Sequence, residues 1–554
     1  MTANAAQLGE PPSLRGALIA FAFALLVGAS GLFSVPPLDR DEARFVQATT
    51  QMLETGDYVA IRYQETERNK KPVGIHWLQA ASVEALADVG DRPLWAYRLP
   101  SLIGAGLACL FTYLAGCALF GRRPALHAAL LLASAPLLAA EASIAKTDAV
   151  LLACVAGAQA ALARLFTARA GERPILPALA FWTALGAGVL VKGPIAPMIA
   201  ALTVLGLAAW SRASGQGLAW LSRLRPLLGI PLLLLIALPW FIAIGVATEG
   251  RFFAEAVGTD MLGKVGEAQE SHAGPFGYHA LLVWALFWPA ALLLPAALAR
   301  AARGLGSPGI AFCLAWALPA WLVFELSSTK LPHYTLPLYP ALALLVGALA
   351  AGAEAPPRRW RWIGAALFVL IGLAALGGML ALLETYAPRG ITVTSLLLSV
   401  IISAAFLASA VASLRGHIGR AVLAAAGSSA ALSWALFEYT LPRLDALAVS
   451  PALSALLDAQ DVHPRLDGAE PVALAGYAEP SAVFLLGTQT RLTDAAGAAA
   501  WLAEEAGRVA VVEERERAAF AAAARGTEYE EIGVVSGLNY SNGDEVRLVL
   551  VRSR

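Results

Sequence analysis

Charged residues are scarce in this sequence of 554 residues, and their scarcity argues against a water-soluble protein. Asp, Glu, Lys and Arg together make up 14% of the chain, against about a quarter in soluble domains. Hydrophobic residues make up 58% and the mean hydropathy is +0.65, which is more apolar surface than a soluble core can hide. The composition therefore predicts a polytopic membrane protein. The formal net charge is +0, so no overall attraction to a strongly charged partner is indicated.

Cysteine is also rare, and the motifs of several enzyme classes are missing. The chain has no phosphate-cradling glycine loop, no HExxH, no GxSxG and no basic–aromatic stripe for nucleic acid. Outside the cytoplasm there is no ATP or sugar nucleotide to use. A transferase acting there would therefore need an activated donor that arrives already attached to a lipid. The cysteines all fall inside apolar runs without metal-ligand spacing, which indicates packing residues: Cys109, Cys117, Cys154 and Cys313.

Long apolar runs fill most of the chain up to residue 442. A helix needs about 20 apolar residues to cross a bilayer. We expect the first run to remain as a helix, because no convincing small-residue cleavage site follows it. The thirteen candidate spans are 14–34, 97–120, 124–141, 148–167, 175–191, 194–210, 226–247, 278–299, 308–326, 335–352, 361–384, 392–413 and 420–440.

The polar residues between these spans differ from one side of the membrane to the other. With the N-terminus in the cytoplasm, six loops on that side all carry arginine, as the positive-inside rule expects. The opposite loops, including the long loop 35–96, mix acids, bases and histidines. After about Arg443, short strand and helix patterns and a hairpin signal at Asn542-Gly543 indicate a small α/β domain. We therefore expect a transmembrane domain over 1–442 and an extramembrane domain over 443–554, on the outer face.

The stretch from Leu38 to Pro72 carries many charged residues between two apolar runs. Charges this close to a bilayer are costly unless they are solvated or paired, so we expect this stretch to line one side of an active site. Asp41 and Glu42 open a predicted helix lying on the membrane surface. They could cap that helix, or form an acidic pair that binds a cation or accepts a proton. Lys71 could end a solvated loop, or hold a lipid phosphate as a point charge.

Further polar residues interrupt the apolar runs of the outer face. Asp148 begins a predicted span. It could cap that helix, pair with Lys146, or belong to a functional site. Lys192 stands at a Gly-Pro break, where a lysine often only snorkels to the interface. The run SSTKLPHYTLPLYP has three prolines, which break or kink helices, and it contains Lys330, His333 and Tyr334.

The outer loop Glu249–His272 offers a second set of polar residues. Glu270 and His272 are candidate ligands for a divalent cation, although their spacing does not identify a metal. A solvated polar loop is the alternative. Lys264 lies in the same loop.

Taken in order, these motifs resemble the lipid-linked-sugar glycosyltransferases of the GT-C type, and in particular ArnT-like enzymes and the related protein O-mannosyltransferases. The resemblance is carried by DRDEARF, NKKP, the turn at Asp148, VKGP and SSTKLPHYTLPLYP, with GLNYSNG similar to a motif in the tail of this group. It implies a bacterial inner-membrane enzyme with a periplasmic active site. Its donor would be a polyprenyl-phosphate sugar and its acceptor lipid A or another LPS-type molecule.

The resemblance also implies roles for residues. Asp41, with Glu42 and Asp148, would form the catalytic set. Cations placed near the donor phosphate would stabilise the charge left on the departing lipid phosphate. Direct displacement would invert the anomeric centre, and Asp41 would take the proton of an acceptor hydroxyl, orient an acceptor phosphate or bind a cation. The residues implied for donor-phosphate or substrate binding are Arg44, Lys71, Lys192, Lys264, Lys330 and Tyr334.

Three other readings compete with this one. A transporter or flippase would show paired internal repeats and charges near mid-membrane, whereas here the spans are largely free of charge. A structural partner in an envelope-assembly complex would not need this set of charges. Within the enzyme class, a protein O-glycosyltransferase of the same fold is the nearest alternative. No cofactor is predicted with certainty.

Overall fold

The computed structural model describes residues 9–37, 40–169, 171–256, 258, 274–466 and 468–554. Helices make up most of this part of the chain. They are α1 (Leu14–Gly28), α2 (Arg40–Thr55), α3 (Gly74–Leu86), α4 (Leu94–Leu119), α5 (Arg122–Ala133), α6 (Pro136–Ala142), α7 (Asp148–Thr167), α8 (Ile175–Lys192), α9 (Ile195–Ala213), α10 (Pro226–Ala247), α11 (Arg251–Phe253), α12 (Tyr278–Leu286), α13 (Trp288–Ala291), α14 (Leu294–Ala301), α15 (Pro308–Leu326), α16 (Tyr339–Ala350), α17 (Arg358–Tyr386), α18 (Val393–Leu414), α19 (Ile418–Trp434), α20 (Val449–Ala459), α21 (Pro480–Leu486), α22 (Ala495–Glu504) and α23 (Arg517–Ala523).

The apolar helices confirm a polytopic membrane protein. Ten helical segments in the described residues are long and apolar enough to cross a membrane, and the pair α5–α6, bent by 64°, makes an eleventh if counted as one span. The other two of the thirteen predicted spans take a different form. Helix α1 has only 15 residues, and the run 278–299 breaks into α12, α13 and α14. Pro289 and Pro295 begin the second and third pieces, because proline lacks the N–H that continues a helix.

Close packing of small residues holds the centre of the membrane domain together. Helices α4 and α7 lie against each other so closely that a Cβ on Gly104 would meet the backbone of Ala149 at 3.0 Å. Glycine and alanine permit this approach, which is how membrane helices gain van der Waals contact without a hydrophobic driving force between them.

The long loop after α1 folds into its own compact unit. It contains α2, a short antiparallel hairpin of β1 (Arg62–Tyr63) and β2 (Thr66–Glu67), and α3. Most residues of α2 from Glu42 to Met52 are buried. The prediction of a helix here was correct, but the prediction that it lies on the membrane surface was wrong. Helix α3 and the C-terminal domain, through α21, pack against it and cover its apolar face.

The C-terminal segment forms the expected small α/β domain. Its strands are β3 (Ala473–Ala475), β4 (Arg491–Thr493), β5 (Val509–Glu513), β6 (Tyr529–Asn539) and β7 (Asp544–Ser553), in the order β4-β3-β5-β7-β6. Strand β3 runs parallel to β4 and β5, and β7 runs antiparallel to β5 and β6. Helices cover both faces, so all of β5 is buried, and its run of valines is typical of such a strand.

Candidate active site

Asp41 stands at the start of α2 among positive charges. Its Oδ1 lies 3.3 Å from an NH of Arg44, one helical turn further on. Burial acts to raise the pKa of Asp41, but the charges of Lys146, Arg68 and Arg44 outweigh it, so that the pKa is lowered. Asp41 is therefore a carboxylate at neutral pH.

Glu42, the next residue, faces the opposite way and has a different environment. Its two carboxylate oxygens accept hydrogen bonds from Arg98 at 2.7 and 2.8 Å, and both side chains are buried. The Ala145 N–H also donates to Glu42, at 2.8 Å. Arg98 in turn donates to the carbonyl of Val35, at 2.7 Å. Glu42 thus joins the start of α2 to α4 and to the turn that carries Lys146.

Asp148 and Lys192 form a tight buried ion pair. Lys192 Nζ lies 2.6 Å from Asp148 Oδ1, and the two side chains are 15% and 6% exposed. Lys192 is the last residue of α8, and Gly193 after it has φ +62°, which a residue with a Cβ rarely adopts. The break at VKGP therefore turns the chain away at the point where the lysine meets Asp148. Asp148 thus pairs with Lys192, a partner that the sequence did not suggest, and the charge of Lys146 also acts on it.

A second buried carboxylate, Glu141, lies beside this pair. Lys146 Nζ is 3.9 Å from Glu141 Oε1. His333 stands between the two acids, with Nδ1 at 3.6 Å from Glu141 and Nε2 at 3.8 Å from Asp148. The 3₁₀ stretch Pro332–Leu338 carries this histidine inward. Asp41 is near enough for its charge to act on His333, and Lys146 is a neighbouring positive charge for both Asp41 and Glu141.

The Glu141–Asp148–His333 cluster also has the donor set of a metal site. One ligand atom from each residue lies within 4.8 Å of the others. Lys192 lies 2.6 Å from Asp148 and Lys146 lies 3.9 Å from Glu141, so two ammonium groups already supply positive charge to these carboxylates. A divalent cation would have to displace or tolerate both ammonium groups. The structure therefore fits lysine pairing better than metal binding.

Lys71 is brought to the same region by close packing of the backbone. A Cβ on Gly74, three residues after Lys71, would meet the Leu190 carbonyl oxygen at 2.7 Å. The segment NKKP therefore packs close to the end of α8 that carries Lys192. Lys71 is partly exposed and Lys70 exposed.

Lys330 and Tyr334 stand before and after His333 in the same short segment. Lys330 Nζ donates to the carbonyl oxygens of Gly274 and Ser327, at 2.9 and 2.7 Å, and is buried. The Tyr334 ring contacts the His333 ring edge-on, with centroids 5.4 Å apart. Through these two carbonyls, Lys330 joins the segment before α12 to the segment after α15.

Three members of the site were not assigned from the sequence, and three residues that were predicted for the site lie outside the described part of the chain. Glu141, Lys146 and His333 received no individual role. The signal for Glu141 was an acid inside an apolar run, which a membrane protein keeps only for a reason. Lys264, Glu270 and His272 lie outside the described residues.

Comparison with known proteins defines the class first. Residues 70–242 match the family described as dolichyl-phosphate-mannose-protein mannosyltransferase. The crystal structure of ArnT from Cupriavidus metallidurans bound to undecaprenyl phosphate superposes with a TM-score of 0.75, at 20% identity, over 97% of this chain and 98% of that one. The chain therefore has the GT-C fold of ArnT, as the sequence resemblance implied.

The particular relatives are bacterial arabinosyl transferases. The chain is similar to undecaprenyl phosphate-alpha-4-amino-4-deoxy-L-arabinose arabinosyl transferase 1 of Pseudomonas fluorescens Pf-5, with 31% identity over 339 residues, covering 59% of each chain. It is 29% identical over 376 residues to arabinosyl transferase 2 of the same strain, covering 66% of this chain and 63% of the relative. The matches thus span about three fifths of these relatives. The chain is thus similar to these transferases over part of its length, and to ArnT in fold.

Proposed function

We propose that this protein is an integral-membrane glycosyltransferase. It moves a sugar from a polyprenyl-phosphate donor to lipid A or a similar LPS-type acceptor, at the periplasmic face of a bacterial inner membrane. The observation that carries the proposal is the convergence of Asp41 with the buried Asp148–Lys192 pair and His333. The similarity to arabinosyl transferases that use an undecaprenyl-phosphate sugar supports the same chemistry.

The position of the charges supports catalysis at one face of the membrane. Asp148 begins α7 and Lys192 ends α8, so both lie at helix ends and not in the middle of a span. Transport sites are instead expected near the bilayer midplane.

Arginine contacts support the proposed orientation. Arg223 donates to the carbonyls of Leu165 and Arg169, and Arg225 donates to the carbonyl of Arg173. The loop of Arg169 and Arg173 and the loop of Arg223 and Arg225 are both predicted to be cytoplasmic. These contacts make them neighbours, at the end of α8 opposite to Lys192. We infer that the 443–554 domain and the loop 35–96 are periplasmic.

The reaction follows from these charges. The bond between the sugar anomeric carbon and the donor phosphate oxygen breaks, and the acceptor oxygen bonds to that carbon from the opposite side, with inversion. The phosphate leaves with the bonding electrons, and Arg44 and Lys71 stabilise its charge. Asp41, ionised at neutral pH, takes the proton of a hydroxyl acceptor. With a phosphate acceptor, Asp41 orients it instead.

A second candidate is protein O-glycosylation. It is favoured by the description of the matching family as protein mannosyltransferases, over residues 70–242. Both candidates use the same donor chemistry and differ in the acceptor.

The test combines a deletion strain with purified variants. Mass spectrometry of envelope lipids and of envelope proteins from the deletion strain identifies which molecule loses a sugar. Transfer from an undecaprenyl-phosphate sugar in detergent is then measured for Asp41→Asn and Lys71→Ala. Both variants should fold and lose transfer, whereas Glu530→Ala, in the C-terminal sheet, should keep it. Full activity in both site variants would refute the site.

A further inference from the structure

We propose that the tail motif GLNYSNG, residues 537–543, positions the active-site helix α2 through Glu479 and Arg40. Arg40 immediately precedes Asp41, so this motif would set the place of the catalytic carboxylate from the far end of the chain. The proposal rests on the proposed function, because it assigns the motif to the site of Asp41. It makes Asn539, Glu479 and Arg40 positioning residues.

Glu479 is the centre of this connection. It lies directly before α21 and is 12% exposed. Its Oε1 accepts a hydrogen bond from the Asn539 side-chain amide at 2.9 Å and lies 2.9 Å from the Ser541 hydroxyl. Its Oε2 lies 3.1 Å from Arg40 Nε. The two oxygens of one carboxylate thus join the tail motif to the first residue of α2.

The turn of the β6–β7 hairpin holds Asn539 in the orientation that this connection needs. The Ser541 N–H donates to Asn539 Oδ1 at 3.1 Å, so the amide NH₂ faces Glu479. The Gly543 N–H donates to the Asn539 carbonyl at 2.8 Å, and Gly543 has φ +81°, where glycine has no steric cost. The Asp544 N–H donates to Asn542 Oδ1 at 3.0 Å. These bonds give the two asparagines and the last glycine of the motif a structural role in the turn.

The first glycine of the motif packs the hairpin against the segment that links the membrane domain to the C-terminal domain. A Cβ on Gly537 would lie 2.6 Å from the Ala446 carbonyl oxygen. Ala446 belongs to the single turn Asp445–Leu447, a few residues after the last spanning segment, which ends at Arg443. The hairpin is therefore held against the segment that follows this span, while its turn holds Glu479.

Other contacts hold α2 further along its length. Arg92 donates to Gln47 and to Glu54, both at 2.7 Å, and Glu54 accepts from the Thr488 hydroxyl at 2.6 Å. Loss of the Glu479 connection therefore leaves the middle and C-terminal end of α2 docked on the C-terminal domain. The Glu42–Arg98 pair also anchors the N-terminal end, so the change falls on Arg40 and Asp41, the residues that precede this anchor.

Kinetics of the purified full-length protein test the connection. Glu479→Ala and Asn539→Ala should each lower kcat about 10- to 100-fold, since small displacements of a catalytic group have effects of that size, with the KM for the donor unchanged. The double variant should be no slower than Glu479→Ala, because both act through one connection. Glu479→Gln keeps only one acceptor oxygen, so its NH₂ must face either Arg40 or the Asn539 amide, and it should recover only part of the loss. The matched control is Glu530→Ala, which removes a carboxylate bonded to Arg552 in the same sheet.

Hydrogen exchange measured by mass spectrometry gives a readout that does not depend on transfer. In Glu479→Ala, peptides at the start of α2 should exchange faster, while those around Glu54 should not change. Equal loosening of both ends, or unchanged kcat and exchange, would overturn the positioning role. If the wild-type protein transfers no lipid-linked sugar, the proposed function fails, and the exchange result alone decides whether the tail motif holds α2.

Discussion

Replacement of Arg98 by methionine would test what Glu42 does. In the native protein two guanidinium N–H groups bond the Glu42 carboxylate at 2.7 and 2.8 Å, and both side chains are almost completely buried. Methionine fills similar volume but removes the positive charge, so a buried carboxylate loses its counter-charge. Removal of one partner from a buried ion pair costs about 3–5 kcal/mol. The carbonyl of Val35 also loses a donor, so we expect a loss in the upper half of that range.

The free energy of unfolding would be followed in detergent by tryptophan fluorescence against denaturant. The double variant Arg98→Met/Glu42→Leu removes both charges and should recover at least half of the loss, because apolar pairs often replace buried ion pairs at little cost. The exposed Arg303→Met serves as a control and should change stability by less than about 0.5 kcal/mol.

Two outcomes would refute this reasoning. A loss below about 1 kcal/mol for Arg98→Met would show that the pair is not buried as described. A double variant as unstable as the single one would show that the charge of Glu42 is not the cause. Transfer by the double variant bears on the sequence-based assignment of Glu42 to the catalytic set. We expect a reduced but measurable rate, since Glu42 would act by holding Asp41 in place, whereas a catalytic Glu42 would leave none.

Three further predictions concern pH, metal and the second ion pair. Burial lowers the pKa of His76 to about 3, so from about pH 6.5 downward the unfolded chain binds a proton that the folded one does not. The free energy of unfolding should therefore fall by about 2 kcal/mol between pH 7 and pH 5. His76→Gln should flatten that dependence on pH in denaturant titrations. EDTA should leave transfer unchanged, because lysines already supply positive charge to Glu141 and Asp148; a loss reversed by a divalent cation would contradict this. Lys192→Met should lower the unfolding midpoint and kcat together, and Lys192→Met/Asp148→Leu should regain stability without regaining kcat, which activity and denaturation curves would show.

The spans were predictable because membrane insertion depends on local composition. A run of about 20 apolar residues is stable in lipid whatever its neighbours are, and ten described segments meet that condition. The run 278–299 was one of the two exceptions. Its prolines break the backbone hydrogen bonding without lowering hydropathy, so hydropathy alone could not locate the breaks.

The charge pairs were not predictable in the same way. Asp148 had a lysine two residues away in the sequence, yet its partner is Lys192, 2.6 Å away in space. Adjacent residues of one helix point to different sides, so Asp41 and Glu42 read as a pair but occupy separate environments. His333 became part of the site only when its turn met α6 and α7.

The sequence by itself determined the membrane class, the helical content of the loop 35–96 and the α/β pattern of the tail, since each depends on patterns within a few tens of residues. Among the residues that it named, the structure brings Asp148, Lys192 and His333 together. Only the tertiary structure decided which charge neutralises which, and that α2 is enclosed by the C-terminal domain instead of lying on lipid. The physical reason is that ion pairing and burial depend on distances between segments remote in the chain, and no local pattern records those distances.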